Sequence, residues 1–316
     1  MRITWLTEGD WTGKIPRDHR NMRNDAAWMC VLDAEHQPLF GSWNDQQYDL
    51  AIITLPKKNF EHLVEKDVEI VDLVRQNLAT KIAVIQEGPA NFYQDYTLVN
   101  QIWYLNQLMS ADFLLVHNMC DKLYYEGLFP DKHVHILLTL MLTDNIKTKN
   151  EKLGVIIGGN WTSWYSGQDS FFIAQEFDST IYCPSMGRKI SGEESIEGLK
   201  HLPYVDWTNW MYELSGFRYA VHLMRVIAAG TFFINTSYLS IPTIGYKQID
   251  SARLLHPDTC VDLGDLSEAR IIAKKLKEDQ DFYDHCANNT KELFNKLYSE
   301  SVFMESFNKI IKNEIL

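Results

Sequence analysis

The sequence predicts an α/β protein built from two doubly wound domains, each with a parallel sheet covered by helices on both faces. Short apolar runs alternate with segments of helical spacing along most of the chain. Strands of a parallel sheet are buried on both faces, so they read as continuous apolar runs. The length of 316 residues suits two cores better than one. A polar segment at 145–152 interrupts the alternation near the middle and predicts a linker.

The first half predicts five strands with helices between most of them. The strands are expected at 2–7, 49–54, 81–86, 113–117 and 133–138, and the helices at 21–34, 64–78, 98–109 and 120–127. After the linker the rhythm restarts. Strands are expected at 153–157, 180–183 and 202–205, and helices at 169–177, 209–214, 266–277, 282–297 and 301–311.

The segment 217–235 predicts a helix followed by a strand. Arg218, His222 and Arg225 are four and three residues apart, so on a helix their side chains share one face. Gly230 ends a small-residue run and is expected to be the C-cap, after which 231–235 reads as an apolar strand.

Composition excludes several classes of protein. No apolar run approaches the roughly 20 residues needed to span a bilayer, and the first residues lack the features of a signal peptide. The five cysteines are scattered and never form a CxxC pair, which predicts reduced thiols, a cytoplasmic location and no metal site. The formal net charge of −12 disfavours nucleic acid and acidic membranes unless a local basic patch exists.

One such patch lies at 13–23, where Lys14, Arg17, Arg20 and Arg23 are opposed by Asp18 alone. We expect these cations, with the neighbouring ring of Trp11, to bind the acceptor. If the acceptor is DNA, they contact backbone phosphates and the indole stacks on or beside a flipped base. Otherwise they form a lid over the donor site.

Three features after predicted strands favour a diphosphate site. A Gly158-Gly159-Asn160 turn follows the strand at 153–157, and glycines let the backbone approach phosphate closely. Arg188-Lys189 follows the next strand, and the cationic face of 217–229 comes third. Each has an ordinary alternative: a tight turn, a solvated loop or arginines packed along a helix. The carboxyl ends of parallel strands share one edge, where ligands of such folds bind.

This arrangement resembles the GT-B glycosyltransferases over essentially the whole chain. Residues 217–234, FRYAVHLMRVIAAGTFFI, are similar to the helix, turn and strand of that family. Many retaining members carry two glutamates there, whereas Phe217 and Arg225 stand in the approximate places. Arginines at this position, together with GGNWTSWYSGQDSFFIAQEF (158–177) and MRNDAAW (22–28), resemble the phage DNA glucosyltransferases. The resemblance implies Rossmann-like domains at 1–146 and 151–298 facing across a cleft, and a helix at 299–316 crossing back to the first.

The resemblance also implies a nucleotide-sugar donor, with a UDP-sugar expected and no obligatory metal. Positive side chains and amides would stabilise charge that develops on the leaving diphosphate. The residues implied at the donor are Gly158, Gly159 and Asn160 at the pyrophosphate, Arg188 and Lys189 beside it, Arg218, His222 and Arg225 as a clamp, and Val205 and Trp207 at the base.

The acceptor hydroxyl needs a base to remove its proton. Glu87 follows an apolar strand and precedes a Gly-Pro turn, and Asp10 follows the first strand in a similar way. Glu8 and His117 are further possibilities, and a carboxylate that caps a loop is the alternative for each acid.

The sequence therefore predicts a cytoplasmic glycosyltransferase, in the host cytoplasm if the protein is viral. Its expected acceptor is a hydroxymethylated cytosine in phage double-stranded DNA, with a small molecule or glycan as the second candidate. A non-catalytic two-domain protein that binds a nucleotide sugar is the alternative from another class. A dinucleotide-binding enzyme is disfavoured because no GxGxxG follows the first strand. The oligomeric state is not predicted.

Overall fold

Two separate sheets organise the chain in the computed structural model, which describes residues 1–9, 11, 13–55, 63–64, 68–86, 88–90, 92–152, 154–185 and 190–315. The chain divides into unit 1, Met1–Leu142 with Glu300–Leu316, and unit 2, Thr143–Ser299. The last helix therefore belongs to the same unit as the first strand.

The described strands are short and mostly buried. They are β1 Ile3–Thr7, β2 Gly13–Lys14, β3 Glu35–Pro38, β4 Leu50–Thr54, β5 Ile82–Ile85, β6 Phe113–Val116, β7 His133–Ile136, β8 Val155–Ile157, β9 Ile181–Cys183, β10 Leu199–His201, β11 Tyr219–His222, β12 Thr243–Tyr246 and β13 Cys260–Val261.

The described α-helices flank these strands. They are α1 Asp25–Val31, α2 Ile70–Asn77, α3 Leu98–Ser110, α4 Met119–Leu128, α5 Gly167–Ala174, α6 Trp207–Leu214, α7 Thr231–Tyr238, α8 Asp250–Leu255, α9 Leu266–Glu278, α10 Gln280–Leu297 and α11 Glu300–Glu314. Among the described residues, no helix combines the length and apolarity that a membrane crossing requires.

The sheet of unit 1 has the strand order β2-β3-β1-β4-β5-β6-β7. β2 pairs antiparallel with β3, and the other described pairings in this sheet are parallel. Every residue of β1, β4, β5 and β6 is buried, as expected for strands covered on both faces. The ring of Trp5 in β1 stacks on the ring of Trp28 in α1, with centroids 5.5 Å apart. This contact joins the sheet to the helix.

The sheet of unit 2 has the order β10-β9-β8-β11-β12-β13, and its described pairings are all parallel. The chain runs outward from β8 to β10 on one side and from β11 to β13 on the other. The direction of winding thus reverses between β8 and β11, and a crevice outside the carboxyl ends of these two strands is the usual ligand site of such sheets. The predicted pair of doubly wound α/β units is confirmed.

The predictions for 217–235 are wrong, and the two elements are exchanged. Tyr219–His222 is an interior strand, whereas Thr231–Tyr238 is a helix. Gly230 does occupy the left-handed region, at φ 64°, but it precedes a helix instead of ending one. The cause is burial: both segments are apolar and nearly fully covered, so neither shows the one-sided pattern that separates a strand from a helix. The strand predicted at 202–205 is also wrong, because the chain pairs with β9 at Leu199–His201 instead.

Candidate functional site

The carboxyl ends of β8 and β11 meet at a turn that only glycine fits. A Cβ on Gly158 would lie 2.3 Å from Cγ of His222, the last residue of β11, and a Cβ on Gly159 would lie 2.4 Å from Cβ of Tyr165. The Gly158 amide donates to the Val221 carbonyl at 2.9 Å. The backbone of this turn therefore lies directly against the imidazole at the switch point of the sheet.

Helix α5 starts immediately behind the glycine turn. A Cβ on Gly167, the first residue of α5, would lie 2.2 Å from the Asn160 carbonyl oxygen. The Asn160 side chain is buried, and its Oδ1 accepts a hydrogen bond from Thr162 Oγ1 at 3.0 Å. These contacts fix the amino end of α5 beside the carboxyl end of β8.

Two helix amino ends, of α5 and α7, follow the two strands at the switch point. Within the described chain, the N-cap residues Ser166 and Gly230 supply no side-chain hydrogen bond to the first turns. The first amides of a helix have no partner within it, and the helix dipole adds partial positive charge there. Such ends are suited to binding phosphate groups.

Arg225 lies three residues beyond β11 and pairs with the first turn of α5. Its Nε and Nη2 donate to Asp169 Oδ2 at 3.0 and 2.8 Å, which leaves Nη1 outside the pair. The hydrogen bond to this carboxylate raises the pKa of Arg225 further above its ordinary value. Gln248 Nε2 donates to the Arg225 carbonyl at 2.9 Å, and the Leu223 amide donates to Ser170 Oγ at 2.9 Å. The segment after β11 is thus tied to α5, and the guanidinium stays 58% exposed.

His222 is a neutral ring at this site. Its side chain is enclosed by Phe232 and Phe233, whose ring centroids lie 5.1 and 5.3 Å away. Burial lowers the pKa of His222 to about 3. Nδ1 is buried and has no hydrogen-bond partner among the described residues. The imidazole therefore carries no positive charge at neutral pH.

Arg218 lies apart from Arg225, so the prediction of one shared helical face is wrong. Arg218 precedes β11 at its amino end, whereas Arg225 follows its carboxyl end. A strand rises by about 3.3 Å per residue, so the two positions belong to opposite edges of the sheet. The Arg218 guanidinium lies 4.3 Å from the ring of Tyr283, and its Nη2 donates to Gln280 Oε1 at 2.6 Å. Arg218 fastens α10 to the sheet.

The remaining residues predicted at the donor divide into two groups. Arg188 and Lys189 lie outside the described residues. Val205 follows β10 at the carboxyl edge of the sheet, whereas Trp207 begins α6 with only 3% of its surface exposed. The exposed aromatic ring of this segment is Tyr204, at 81%, which the sequence reasoning missed.

The two acids predicted as catalytic bases, Glu87 and Asp10, also lie outside the described residues. Gln86, which precedes Glu87 in the sequence, is buried, and its Oε1 accepts a hydrogen bond from the Tyr104 hydroxyl. His117 directly follows β6, and its ring stacks on Trp28 with centroids 5.6 Å apart.

The basic segment 13–23 is anchored to unit 1. Lys14 lies in β2 and pairs with Asp33 at 2.6 Å, and both terminal nitrogens of Arg17 donate to the Glu300 carboxylate. Arg20 and Arg23 are exposed and also interact with other groups.

The Trp11 ring beside this segment is held by two histidines. It contacts the rings of His19 and His36 edge-on, with centroids 5.7 Å apart in each pair. His36 Nδ1 donates to the Trp11 carbonyl at 2.5 Å, and its Nε2 lies 3.0 Å from Thr7 Oγ1. His36 therefore links the backbone of Trp11 to Thr7, the last residue of β1.

Two groups of described side chains have the composition of a metal site. Cys183, Glu193 and His201 lie at the carboxyl ends of β9 and β10, with Glu193 Oε1 2.8 Å from His201 Nε2. Burial is the main reason that the pKa of the Cys183 thiol is raised to about 12, and the nearby Glu193 charge adds to the rise. The second group, His133, His135 and Glu314, lies in unit 1.

No protein-family model and no curated protein matches the sequence. Solved structures are similar in fold. HepE from Anabaena in complex with UDP and glucose is 12% identical with a TM-score of 0.67, and the match covers 99% of this chain and 100% of that one. An alpha-glucosyltransferase in complex with UDP and a 13-mer DNA containing an HMU base is 12% identical with a TM-score of 0.66, over 99% of both chains.

A variant of S. aureus TarM in complex with UDP, fondaparinux and alpha-GlcNAc-glycerol is 8% identical with a TM-score of 0.62. The match covers 82% of this chain, which spans about half of TarM, 55% of its length. At these identities the likeness establishes the fold, the two-sheet α/β architecture of GT-B glycosyltransferases.

Proposed function

We propose that the protein is a glycosyltransferase that uses a UDP-sugar and binds its diphosphate at the switch point of unit 2. The observation that carries this proposal is the convergence at the carboxyl ends of β8 and β11. A glycine turn without room for a Cβ, two helix amino ends and Arg225 lie at this edge. The full-length likeness to structures that hold UDP supports the choice of donor.

The chemistry follows from where charge develops. When the bond from the sugar to the diphosphate breaks, negative charge grows on the leaving UDP oxygens. The first amides of α5 and α7 and the Arg225 guanidinium can stabilise this charge without a metal ion. Asp169 orients the guanidinium. We therefore propose that no metal ion is obligatory for transfer.

A panel of nucleotides and nucleotide sugars tests the donor. We expect UDP and one UDP-sugar to raise the melting temperature and GDP-sugars to leave it unchanged, with equal results in EDTA. Without an added acceptor, mass spectrometry should then detect slow hydrolysis of that UDP-sugar to UDP and free sugar, with water taking the glycosyl group. Stabilisation without turnover, even with acceptors supplied, would favour the non-catalytic binding protein. Absence of stabilisation by any nucleotide contradicts the proposal.

We propose a hydroxymethylated base in double-stranded DNA as the acceptor, bound by the basic segment 13–23. This choice is supported by the full-length likeness to the alpha-glucosyltransferase solved with DNA and by the local cations. A small molecule or glycan hydroxyl is the second candidate. It is favoured by the net charge of −12 and by the carboxylates that already pair with Lys14 and Arg17.

Transfer and binding to matched duplexes separate these acceptors. A duplex containing hydroxymethylcytosine should gain the mass of one sugar, and a cytosine duplex of the same sequence should not. Neutralising Z phosphates gives a slope of about −0.9Z in log K against log salt. We expect Lys14→Ala and Arg17→Ala each to reduce the magnitude of this slope by about 0.9, the contribution of one phosphate contact. A flat salt response without DNA modification assigns the acceptor to the second candidate.

We further propose that Glu87 removes the acceptor proton. Asp10 is the second candidate for this base. Glu87→Gln should retain UDP binding and lose most of the transfer activity. Full transfer by Glu87→Gln together with loss of transfer in Asp10→Asn would assign the base to Asp10.

We also propose that the protein acts in the cytoplasm, that of the host if the protein is viral. The described cysteines are all free, which supports action in a reducing compartment.

A further inference from the structure

We propose that His133, His135 and Glu314 bind one divalent transition-metal ion of the Zn²⁺ type, which fastens the end of helix α11 to strand β7. This site lies within unit 1 and is independent of the proposed glycosyl transfer. It joins the last strand of the sheet of unit 1 to the last residue of the terminal helix.

The strand places both imidazoles on one side. His133 and His135 are alternate residues of β7, and alternate side chains of a strand project from the same face. Glu314 Oε1 lies 2.8 Å from His133 Nδ1 and 2.7 Å from His135 Nε2. One candidate ligand atom from each residue lies within 4.8 Å of the other two. Three ligand atoms of two elements thus converge on one point.

The chemical type of the three ligand atoms selects the class of metal. Zn²⁺ binds imidazole nitrogen at about 2.0–2.1 Å and carboxylate oxygen at about 2.0–2.2 Å. Tetrahedral angles then place ligand atoms about 3.3–3.5 Å apart, so an ion between them needs each hydrogen bond to open by roughly half an ångström. Two imidazoles with one carboxylate suit zinc, nickel or ferrous iron, whereas magnesium and calcium prefer oxygen ligands. Solvent can fill the remaining position.

Burial of the carboxylate supplies the physical reason for an ion. The Glu314 side chain is only 5% exposed, and a buried carboxylate requires compensating charge. The two lysines that line the neighbouring cavity pair with other acids: Lys122 with Glu126 and Lys309 with Glu305. A divalent ion supplies this carboxylate with both positive charge and ligation.

The site has an access route and does not depend on metal for folding. A cavity of about 270 Å³ borders it and is lined by Lys122, His135, Ser306, Lys309 and Asn313, among others. Helix α11 is also docked by apolar side chains that are at most 7% exposed: Phe303, Phe307, Ile310 and Ile311. Variants of the three ligands are therefore expected to fold, with α11 in place.

Cobalt titration of the full chain tests the proposal. Metal-free protein titrated with Co²⁺ should develop visible d–d absorption that saturates at one equivalent and disappears when Zn²⁺ is added. His133→Ala, His135→Ala and Glu314→Gln should each weaken binding by at least about tenfold, while circular dichroism stays unchanged. His285→Ala is the control, because His285 is an exposed histidine beside a carboxylate, 3.3 Å from Asp258.

Hydrogen exchange gives a second readout, since Zn²⁺ should slow exchange in the last turn of α11 in the wild type and not in Glu314→Gln. Unchanged Co²⁺ affinity in the three ligand variants overturns the proposal, as does the absence of any d–d band. A thiolate charge-transfer band that Cys183→Ser removes also overturns it, because that result assigns the ion to Cys183, Glu193 and His201.

Discussion

Arg225 binds Asp169 through two nitrogens, with Nε at 3.0 Å and Nη2 at 2.8 Å from the same carboxylate oxygen. The pair joins the segment after β11 to the first turn of α5, the two elements that border the switch point of unit 2. The guanidinium is thereby oriented while most of its surface remains exposed. An oriented and exposed cation beside two helix amino ends is a suitable contact for a diphosphate.

Arg225→Ala should weaken UDP binding by about tenfold to a hundredfold, since a hydrogen bond to a charged group contributes about 1.5–3 kcal/mol. Titration calorimetry with UDP measures the change. Arg270→Ala is the matched control, because Arg270 pairs with Glu176 just beyond the other end of α5. Equal affinities of the two variants would count against the proposed donor site.

Gly158→Ala should reduce both stability and UDP binding. The added methyl group would lie 2.3 Å from His222 Cγ, and overpacking of this kind costs about 1–3 kcal/mol. Gly127→Ala in α4 is the control, because nothing lies within 4 Å of its added Cβ. That change should stabilise the protein by about 0.5–1 kcal/mol. Urea unfolding measures both, and a Gly158→Ala variant as stable as the wild type contradicts the contact.

The stability of the protein should fall as the pH drops below about 6.5. Burial lowers the pKa of His222 to about 3 and that of His256 to about 4, so the unfolded chain binds more protons between these values and 6.5. Stability from the neutral rings is fully present above the unfolded pKa. It is lost on acidification at up to about 1.4 kcal/mol per pH unit for each histidine.

His222→Gln should reduce this slope. Urea unfolding at pH 7, 6 and 5 measures the slopes of the wild type and of the variant. If His222→Gln retained the full wild-type slope, His222 would titrate in the folded state like an exposed histidine.

Arg218→Ala should destabilise unit 2 and leave UDP binding unchanged. The substitution removes the contact of the guanidinium with the Tyr283 ring and its hydrogen bond to Gln280. Together these contribute about 1–2 kcal/mol. Chemical unfolding and calorimetry separate the two effects. A loss of UDP affinity as large as that of Arg225→Ala would place Arg218 at the donor, despite its location at the amino end of β11.

The sequence predicted most of the α/β alternation correctly. β1, β4, β5 and β6 are buried throughout and separated by segments of clear helical spacing or polar turns, so length and pattern agree. β2, β3, β12 and β13 were not predicted. β2 and β13 have two residues each, too few to show a periodicity. The exchange at 217–235 has a different origin: β11 and α7 are buried on nearly all sides, so neither shows a one-sided apolar pattern.

The turn after β8 was predicted because its Gly-Gly-Asn sequence is a local signal. The side chain that leaves no room for a Cβ at Gly158, His222, lies on another strand. Asp169 and Ser170 were missed because ordinary polar residues acquire their role only from the groups that they contact in the fold.

The sequence by itself determined that this chain forms two α/β units with a glycine turn after the first strand of the second unit. Periodicity and turn chemistry are properties of residues a few positions apart. Only the tertiary structure decided that Arg225 meets Asp169, 56 residues away, and that His133 meets Glu314, 181 residues away. Such pairs depend on strand order and helix packing, which contacts across the whole unit select and no short pattern encodes.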